Sequence, residues 1–150
     1  MEKEIRIEEV DEKKYQEDLA NQKEDWEKEL EDRKKNPEKY MARGGIKKRY
    51  LSATLKDIKL PPRIIKVAEQ FIEGKIQGLF LTGTVGSGKT YLACAIAREL
   101  VMQGKNIRFK SAPEFFEDIR GSFNGKGTEY EIINRFSKTN YLIIDDLGTE

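Results

Sequence analysis

The part of the sequence that most restricts the possible fold is residues 78–92, which read GLFLTGTVGSGKTYL. Within it, residues 83–90 match the pattern GxxxxGK[ST] at every fixed position. The apolar run before the match predicts a buried strand over 78–82, and the residues after it predict a helix from Gly88 to Met102. A glycine-rich turn before a helix is the alternative interpretation. The strand on one side and the helix on the other favour a functional loop over such a turn.

Each position of this loop has a physical role. The glycines let the backbone wrap closely, so that successive N–H groups turn inward and hold phosphate oxygens. The N-terminus of the following helix adds its positive dipole at the same place. We expect Lys89 to contact the β- and γ-phosphates of a nucleoside triphosphate and the Thr90 hydroxyl to ligate Mg²⁺. The residues predicted to bind the nucleotide are Gly83, Thr84, Val85, Gly86, Ser87, Gly88, Lys89, Thr90 and Tyr91.

The second half of such a site is predicted at residues 141–145, which read YLIID. A strand buried on both faces delivers a carboxylate at its C-terminal end, where ligands bind in open α/β sheets. Asp145 is expected to hold Mg²⁺ through water, and Asp146 to polarise the attacking water. A pair of surface acids that end a strand is the alternative. The predicted catalytic residues are Lys89, Asp145 and Asp146.

Hydrophobic periodicity places the other elements along the chain. It predicts a helix over 61–73, a strand over 106–111, and two further helices over 113–122 and 129–137. The glycine-rich stretch between the last two helices predicts a flexible loop. The full order, α–α–β–α–β–α–α–β, predicts a mainly parallel sheet flanked by helices.

The N-terminal region predicts a highly charged helix. Residues 10–35 are dominated by Glu, Lys, Asp and Arg and contain no Gly or Pro. Their apolar side chains, Tyr15, Leu19, Trp26 and Leu30, recur at spacings that place them on one stripe of an α-helix. This helix is either a solvated charged element or a docking helix whose Trp26 and Leu30 insert into a partner's groove.

Charge is distributed unevenly between the two parts of the chain. Residues 1–40 carry 10 Lys/Arg and 15 Asp/Glu, whereas the rest of the chain carries 18 and 12. Within the second part, residues 41–66 contain eight basic side chains and one acid. Such asymmetry favours a polyanionic partner, with ordinary solvated cations as the alternative for each residue. The candidate DNA contacts are Lys47, Lys48, Arg49, Lys110 and Arg120.

The chain has one cysteine, Cys94, and no histidine. These counts exclude an internal disulfide and a Cys/His zinc cluster. Cys94 lies among small apolar residues, so we expect it to be buried in helix packing. No apolar run approaches the ~18 residues that a membrane span requires, and the acidic N-terminus lacks the apolar core of a signal peptide. We therefore expect a cytoplasmic protein with no membrane partner.

The paired acids distinguish two classes of enzyme that use this phosphate loop. In small-molecule and nucleotide kinases the acidic strand often lies beside the loop strand. In molecular motors another strand lies between the two, and a second acid follows the first. Asp145 and Asp146 favour the motor class, and a small-molecule kinase is the less favoured alternative.

Four blocks in a fixed order resemble the DnaC/IstB group of AAA+ ATPases. They are GGIKKRYLSATLKDI, GLFLTGTVGSGKTYLACAIA, FKSAPEFFEDIRGSF and YLIIDDLGTE, and they span about residues 44–150. This group includes bacterial replicative helicase loaders, their phage relatives and transposition helper ATPases. The resemblance implies an α/β P-loop NTPase fold of the AAA+ type, formed by an N-terminal part of the ATPase domain at 61–150. A basic linker at 41–60 and a charged helical arm at 1–40 would precede it.

The resemblance also implies a function and partners. Lys89, Thr90 and Asp145 would bind Mg-ATP, and Asp146 would serve hydrolysis. The helical stretch 113–137 would correspond to the helix pair that initiator-type members use near single-stranded DNA. The arm before residue 40 would dock on a replicative helicase or, in the transposition branch, on a transposase. A complete chain would form a homo-oligomer, because AAA+ active sites lie between subunits.

The sequence also departs from the family pattern. Thr84 stands where relatives usually have proline, and the cysteine cluster that many relatives carry is missing. The family continues beyond the position of Glu150 into two more core strands, one of which lies between the loop strand and the acidic strand. We therefore expect a gap beside those strands and weak or absent ATPase activity from residues 1–150 alone. A nucleotide-switched adaptor that hardly hydrolyses ATP is the alternative function.

Overall fold

The computed structural model describes residues 11–123, 134 and 136–147. Five α-helices, one short 3-10 helix and two strands lie within these residues. In chain order they are α1 (Glu12–Lys35), α2 (Pro37–Arg43), the 3-10 helix (Lys48–Tyr50), α3 (Pro62–Ile72), α4 (Lys89–Met102), β1 (Ile107–Ser111), α5 (Ala112–Phe123) and β2 (Tyr141–Asp145).

The two strands form a parallel pair, as predicted for a sheet with helices on its faces. Ile107 lies opposite Tyr141, and Ser111 lies opposite Asp145. Parallel strands require a crossover connection, which α5 begins directly after β1. The Ser111 side chain and backbone N–H both donate to Glu114, at 2.8 and 2.9 Å. This reciprocal cap starts α5 at the end of the strand.

The core of the described residues lies around α4, which contributes seven buried side chains. Small residues on this helix, including Cys94 at 0% exposure, let the neighbouring elements approach closely. The prediction that Cys94 is buried is therefore confirmed. The other buried apolar residues come from α2, α3, β1, the start of α5 and the connecting segments: Met41, Ile46, Ala53, Ala68, Ile107, Phe109 and Ala112.

The C-terminal half of α1 packs on the body of the protein. Arg33 is the one buried residue of this helix, at 6% exposure. Its guanidinium donates to Glu29, to the Lys105 carbonyl at 3.0 Å and to Asn106 Oδ1 at 2.8 Å. Because a buried guanidinium is costly unless its donors are satisfied, these bonds fix the helix against the turn before β1.

The apolar residues that form one stripe of α1 differ in what they contact. Tyr15 and Leu19, near the N-terminal end, are 50% and 42% exposed. Trp26 is 46% exposed, and a methyl group placed on Gly104 would lie only 2.5 Å from its ring. Leu30 lies beside the same glycine. The Trp26 and Leu30 side chains therefore contact the turn after α4 in the same chain. On the sequence alone they are candidate anchors in the groove of a partner.

A second close approach lies on the other edge of β1. The Phe109 N–H donates to the Gly44 carbonyl at 2.7 Å, so the segment after α2 runs along this strand. A Cβ atom on Gly44 would lie 2.4 Å from Ile107 Cδ1, and one on Gly45 would lie 2.7 Å from the Phe109 carbonyl oxygen. The two glycines therefore permit this contact, and Gly45 also has φ of 98°.

Two predictions about the strands are wrong. Residues 78–82 do not form a strand, because none of the described residues supplies a partner for their backbone groups. Phe80 is 78% exposed, while Leu79 and Leu81 face a cavity of about 350 Å³ against α3 and α4. The last strand, β2, was expected to be buried on both faces. It is instead half-buried, and Leu142 is 41% exposed, because the only strand beside β2 in the described chain is β1.

Other sequence predictions match the structure closely. The helices predicted at 61–73, 88–102 and 113–122 and the strands at 106–111 and 141–145 are all present within one residue or so. The predicted loop and most of the helix predicted at 129–137 lie outside the described residues. Helix α2 was not predicted from the sequence; it is only seven residues long and begins at Pro37. No helix in the described chain is long and apolar enough to cross a membrane.

Candidate functional site

The predicted phosphate loop connects the extended segment 78–82 to α4. Gly88 is the N-cap of the helix and has φ of 88°, and Gly86 has φ of 80°. Both values lie in the left-handed region, which strongly favours glycine. A Cβ atom at either position would meet nothing within 4 Å, so backbone conformation rather than space requires glycine there. Helix α4 then begins at Lys89, and its free N–H groups point back toward the loop.

Lys89 folds back over the loop. Its ammonium group donates to the carbonyl oxygens of Gly83 and Thr84, at 2.8 Å each. These bonds place a positive charge at the centre of the turn, within reach of anything that the loop N–H groups bind. Because the bonds are exposed, exchanging them for phosphate oxygens costs little.

The structure brings Thr90 and Asp145 together across 55 residues of sequence. The Thr90 hydroxyl lies 2.9 Å from Asp145 Oδ2 and 3.1 Å from Oδ1, and it donates to the carboxylate. Thr90 lies in the first turn of α4, and Asp145 is the last residue of β2. The end of β2 therefore places the Asp145 carboxylate beside the first turn of α4, next to the phosphate loop.

Asp146 follows directly, with an exposed side chain and φ of 58°. It is the one non-glycine residue with positive φ in the described part of the chain. Aspartate tolerates this conformation better than most residues, but it remains uncommon and often marks functional sites. Asp145 is half-buried at the end of β2 and Asp146 is exposed, so the two carboxylates have different surroundings.

The other predicted loop residues differ in their exposure. Val85 is fully exposed at the tip of the turn. Ser87 lies near Gly83, where an added Cβ would approach its hydroxyl to 2.9 Å. The Tyr91 side chain points away, packs against the core and has its hydroxyl 3.4 Å from the Thr54 N–H. Tyr91 therefore links the start of α4 to the segment around Thr54.

The environment of the site is apolar on the side of α4. Burial raises the pKa of the Cys94 thiol to about 12, and the nearby negative charge of Asp145 adds to this rise. A thiol in this state stays protonated and is a poor nucleophile. Cys94 therefore belongs to the packing beneath the site and takes no part in its chemistry.

The oxygen atoms at this site fit a magnesium ion. Mg²⁺ prefers oxygen ligands and is commonly held by one or two protein groups together with phosphates and water. The Thr90 hydroxyl and the Asp145 carboxylate are such groups and already lie side by side. The described residues contain no cluster of three or more His, Cys, Asp or Glu side chains that could enclose a metal by themselves.

The five candidate DNA contacts are not equivalent. Lys47, Lys48 and Arg49 are exposed around the 3-10 helix, and the Arg49 guanidinium lies 4.7 Å from the Tyr50 ring centre. Arg120 is exposed on α5. Lys110 is different, because its ammonium forms an ion pair with Asp118 at 3.2 Å and is only 25% exposed.

Glu114 is a residue near these cations that the sequence interpretation missed. Hydrogen bonds from Ser111 lower the pKa of its carboxyl group, and the charges of Lys47 and Lys110 lower it further. The structure thus brings Lys47 and Lys110 to the same carboxylate. The sequence SAPE at 111–114 carries the cap pattern that could have revealed this position.

Comparisons with known proteins agree with this geometry. The model of the family "IstB-like ATP binding protein" matches residues 14–150. The replicative helicase loader DnaC of Buchnera aphidicola subsp. Schizaphis graminum is 25% identical over 122 residues, which cover 75% of this chain and 50% of that protein. DnaC of Escherichia coli K12 is 31% identical over 87 residues, covering 55% and 36% of the two chains.

The replicative helicase loader DnaI of Bacillus subtilis is 36% identical over 77 residues, which cover 51% of this chain and 24% of that protein. The chain thus spans about half the length, or less, of these curated relatives. The family model, in contrast, covers most of the chain and includes the whole candidate site. The chain belongs to the IstB-like ATP-binding proteins, the AAA+ group that its phosphate loop and acidic strand resemble.

Proposed function

We propose that this chain binds Mg-ATP and forms part of a DNA-associated AAA+ ATPase of the helicase-loader type. The observation that carries the proposal is the hydrogen bond from Thr90 to Asp145, which joins the phosphate loop to the acidic strand. Two surface acids that merely end a strand would have no reason to meet the hydroxyl that follows the loop lysine. The matched family supports the same conclusion.

Each group of residues at this site has a separate proposed role. The N–H groups of the loop and of the first turn of α4 bind phosphate oxygens and orient the nucleotide. Lys89 exchanges its bonds with the Gly83 and Thr84 carbonyls for bonds to phosphate. A bound Mg²⁺ would neutralise charge on the phosphates, with the Thr90 hydroxyl as its ligand and Asp145 holding it through water. Asp146 then holds and polarises the water that attacks the terminal phosphate.

We infer the protein partner from the relatives and the nucleic-acid partner from the exposed positive charges. The relatives named above are replicative helicase loaders, which favours a replicative helicase over a transposase as partner. Single-stranded DNA is the proposed polyanion, contacted by exposed cations around Lys47, Lys48 and Arg49. The complete protein would work as a homo-oligomer in the cytoplasm. The half-exposed β2 and the unpaired segment 78–82 would then be covered by further parts of that assembly.

Nucleotide binding and hydrolysis are tested separately. Binding of ATP with Mg²⁺ is measured by calorimetry for the wild type, for Lys89→Ala and for Asp145→Asn. We expect both variants to weaken binding at least tenfold, because each removes a charged contact to the nucleotide or its metal. Equal affinity in all three proteins would contradict the proposal. Phosphate release is measured for the wild type and for Asp146→Asn, and we expect the variant to keep ATP binding and to release less phosphate.

A nucleotide-switched adaptor is the second candidate, and one observation favours it. Segment 78–82, which leads into the loop, has no strand partner among the described residues, so the loop is held on one side only. Such a loop can bind ATP while positioning the attacking water poorly. Asp146→Asn distinguishes the two functions in a helicase-loading assay. A motor would keep ATP binding and lose loading, whereas an adaptor would keep both.

A further inference from the structure

A second polar cavity lies at the opposite end of the sheet from the phosphate loop. It has a volume of about 540 Å³ and opens between the ends of α1 and α2 and the residues that precede the two strands. Asn106 and Ile107 line it at the start of β1, and Thr139 lines it just before β2. Since Asp145 lies at the other end of β2, about 13 Å of strand separates this cavity from the candidate ATP site.

The described residues around this cavity carry mainly positive charge. Five of them are cationic and one is acidic: Arg33, Arg43, Lys105, Arg108, Lys138 and Glu29. The Glu29 carboxylate is paired with Arg33, from which it accepts two hydrogen bonds at 2.8 and 3.0 Å. The other four cations form no ion pair with any carboxylate that the structure describes. They are named here the cationic cluster: Arg43, Lys105, Arg108 and Lys138.

One member of the cluster is partly buried and incompletely satisfied. Arg108 lies on β1 opposite Leu142, and its Nε atom is buried without a hydrogen-bond partner. A buried donor that lacks an acceptor costs about 1–3 kcal/mol, so such groups usually indicate a ligand or an ordered water. The guanidinium of Arg43 stacks beside Tyr40, with its carbon 5.4 Å from the ring centre, and also has no carboxylate partner in the described chain.

The lining indicates the class of ligand. Guanidinium groups recognise phosphate through paired N–H donors, and lysines add point charge. The remaining polar groups, from Asn106, Asn134 and Thr139, offer hydrogen bonds. A volume of about 540 Å³ is in the range of sites that hold nucleotide-sized ligands, and it exceeds what a single inorganic phosphate fills. An acidic peptide would offer carboxylates to the same cations, and it is an alternative that the experiment below tests with polyglutamate.

We propose that the cationic cluster is a second phosphate-binding site, which holds a nucleotide unit of single-stranded nucleic acid. The phosphate could come from a nucleic-acid backbone or from a free nucleotide, and both share this chemistry. The proposal builds on the DNA association proposed above but assigns it to different residues, at the end of the sheet away from the ATP site. Because Arg33 fixes α1 beside the cavity, occupation of the site would also stabilise the docking of that helix.

The experiment measures the salt dependence of binding to fluorescent oligothymidylate. The main variant is Lys105→Gln with Lys138→Gln, which changes two exposed side chains and leaves the backbone contacts of Lys105 intact. Lys34→Gln with Lys66→Gln is the matched control, since both lysines are exposed, lie outside the cavity and carry the same total charge. All proteins also carry Lys89→Ala, which removes phosphate binding at the loop.

The expected result is a change in slope that only the cluster variant shows. Each lost phosphate contact reduces the slope of log affinity against log salt by about 0.7 for single strands, so two contacts give about 1.4. Affinity should fall about tenfold or more at moderate salt. Adding Arg108→Gln should bring the total reduction in slope, relative to the Lys89→Ala parent, to about 2. Slopes for the cluster variant and the control that agree within error would overturn the proposal.

Three further outcomes separate this site from its alternatives. If Lys47→Gln with Lys48→Gln lowers the slope and the cluster variant does not, DNA association stands and the second site is overturned. If inorganic pyrophosphate raises the Tm of the parent protein but not of the cluster variant, while oligothymidylate binds neither, the phosphate site stands with a free nucleotide as its source. If polyglutamate binds the cluster as tightly as oligothymidylate does, the assignment to phosphate is wrong.

Discussion

The contact between α1 and the body of the protein can be tested at Gly104, the turn after α4. This glycine has φ of 82°, and a Cβ atom there would lie 2.5 and 2.8 Å from two ring carbons of Trp26. Gly74 is a matched control, because it has φ of 76° but nothing within 4 Å of the added Cβ. Alanine at either position pays about 1–2 kcal/mol for the left-handed backbone. Only Gly104→Ala must also displace the indole.

The cost of displacing the Trp26 indole determines how much more stability Gly104→Ala should lose than Gly74→Ala. Forcing extra atoms into an existing contact typically costs about 1–3 kcal/mol. Gly104→Ala should therefore reduce the free energy of unfolding by about 2–5 kcal/mol and Gly74→Ala by about 1–2 kcal/mol. Removing the indole should remove the clash, so Gly104→Ala in a Trp26→Ala background should cost no more than Gly74→Ala does.

Urea unfolding followed by far-UV circular dichroism measures the wild type, Gly104→Ala, Gly74→Ala, Trp26→Ala and the Trp26→Ala/Gly104→Ala double variant on the same scale. Trp26 is the sole tryptophan of the chain, so its fluorescence also reports whether α1 stays docked in the two glycine variants. We expect a red-shifted emission for Gly104→Ala and an unchanged emission for Gly74→Ala. Equal stability losses at the two glycines, with no coupling to Trp26, would refute the inference that α1 packs against this turn.

The other predictions concern the site and the acid response. Thr90→Val should weaken ATP binding in the presence of Mg²⁺ and leave metal-free binding nearly unchanged, whereas Thr90→Ser should retain both, as calorimetry would show. The sole cysteine, Cys94, should resist alkylation in the folded protein near neutral pH and react after unfolding in urea, because burial raises its pKa to about 12; rapid native labelling would contradict its burial. Hydrogen bonds from Lys39, Tyr40 and Asn36 lower the pKa of Asp32 from its ordinary value of 3.8. Its contribution to stability should therefore be complete above that value and be lost as the pH falls below it, and Asp32→Asn should show a shallower loss in acid unfolding curves.

Several elements could be predicted because local sequence dictates them. The loop motif fixed the start of α4, since Gly86 and Gly88 need left-handed backbone and Lys89 opens an apolar-faced helix. The run YLIID predicted β2 to the residue because its pattern has no competing helical period. These features depend on a few neighbouring residues, so periodicity and motif spacing are sufficient to locate them.

Other features depend on groups that are distant in sequence. Segment 78–82 has the composition of a strand, but a strand also needs a hydrogen-bonded partner, and none of the described residues provides one. The burial of Arg33 requires acceptors at 105 and 106, more than 70 residues away. The cationic cluster could not be predicted either, since its members come from three separate stretches of the sequence and meet only at one end of the sheet.

The sequence predicts which residues form the candidate site but not their conformations. It predicts a common site for Lys89, Thr90 and Asp145, which stays a prediction, and the structure brings two of these residues together through the hydrogen bond from Thr90 to Asp145. The structure also shows that Lys89 bonds to the loop carbonyls of Gly83 and Thr84, which no motif describes. The left-handed backbone of Asp146 is another such detail, because it depends on how β2 ends.

The central claim is that the phosphate loop and Asp145 together form an ATP site. The most direct test is calorimetric titration of the chain with ATP, with and without Mg²⁺, for the wild type and for Asp145→Asn. The account predicts that Mg²⁺ tightens binding by the wild type and has little effect on Asp145→Asn, because that variant lacks the carboxylate that would hold the ion. An identical Mg²⁺ dependence in the two proteins would contradict it.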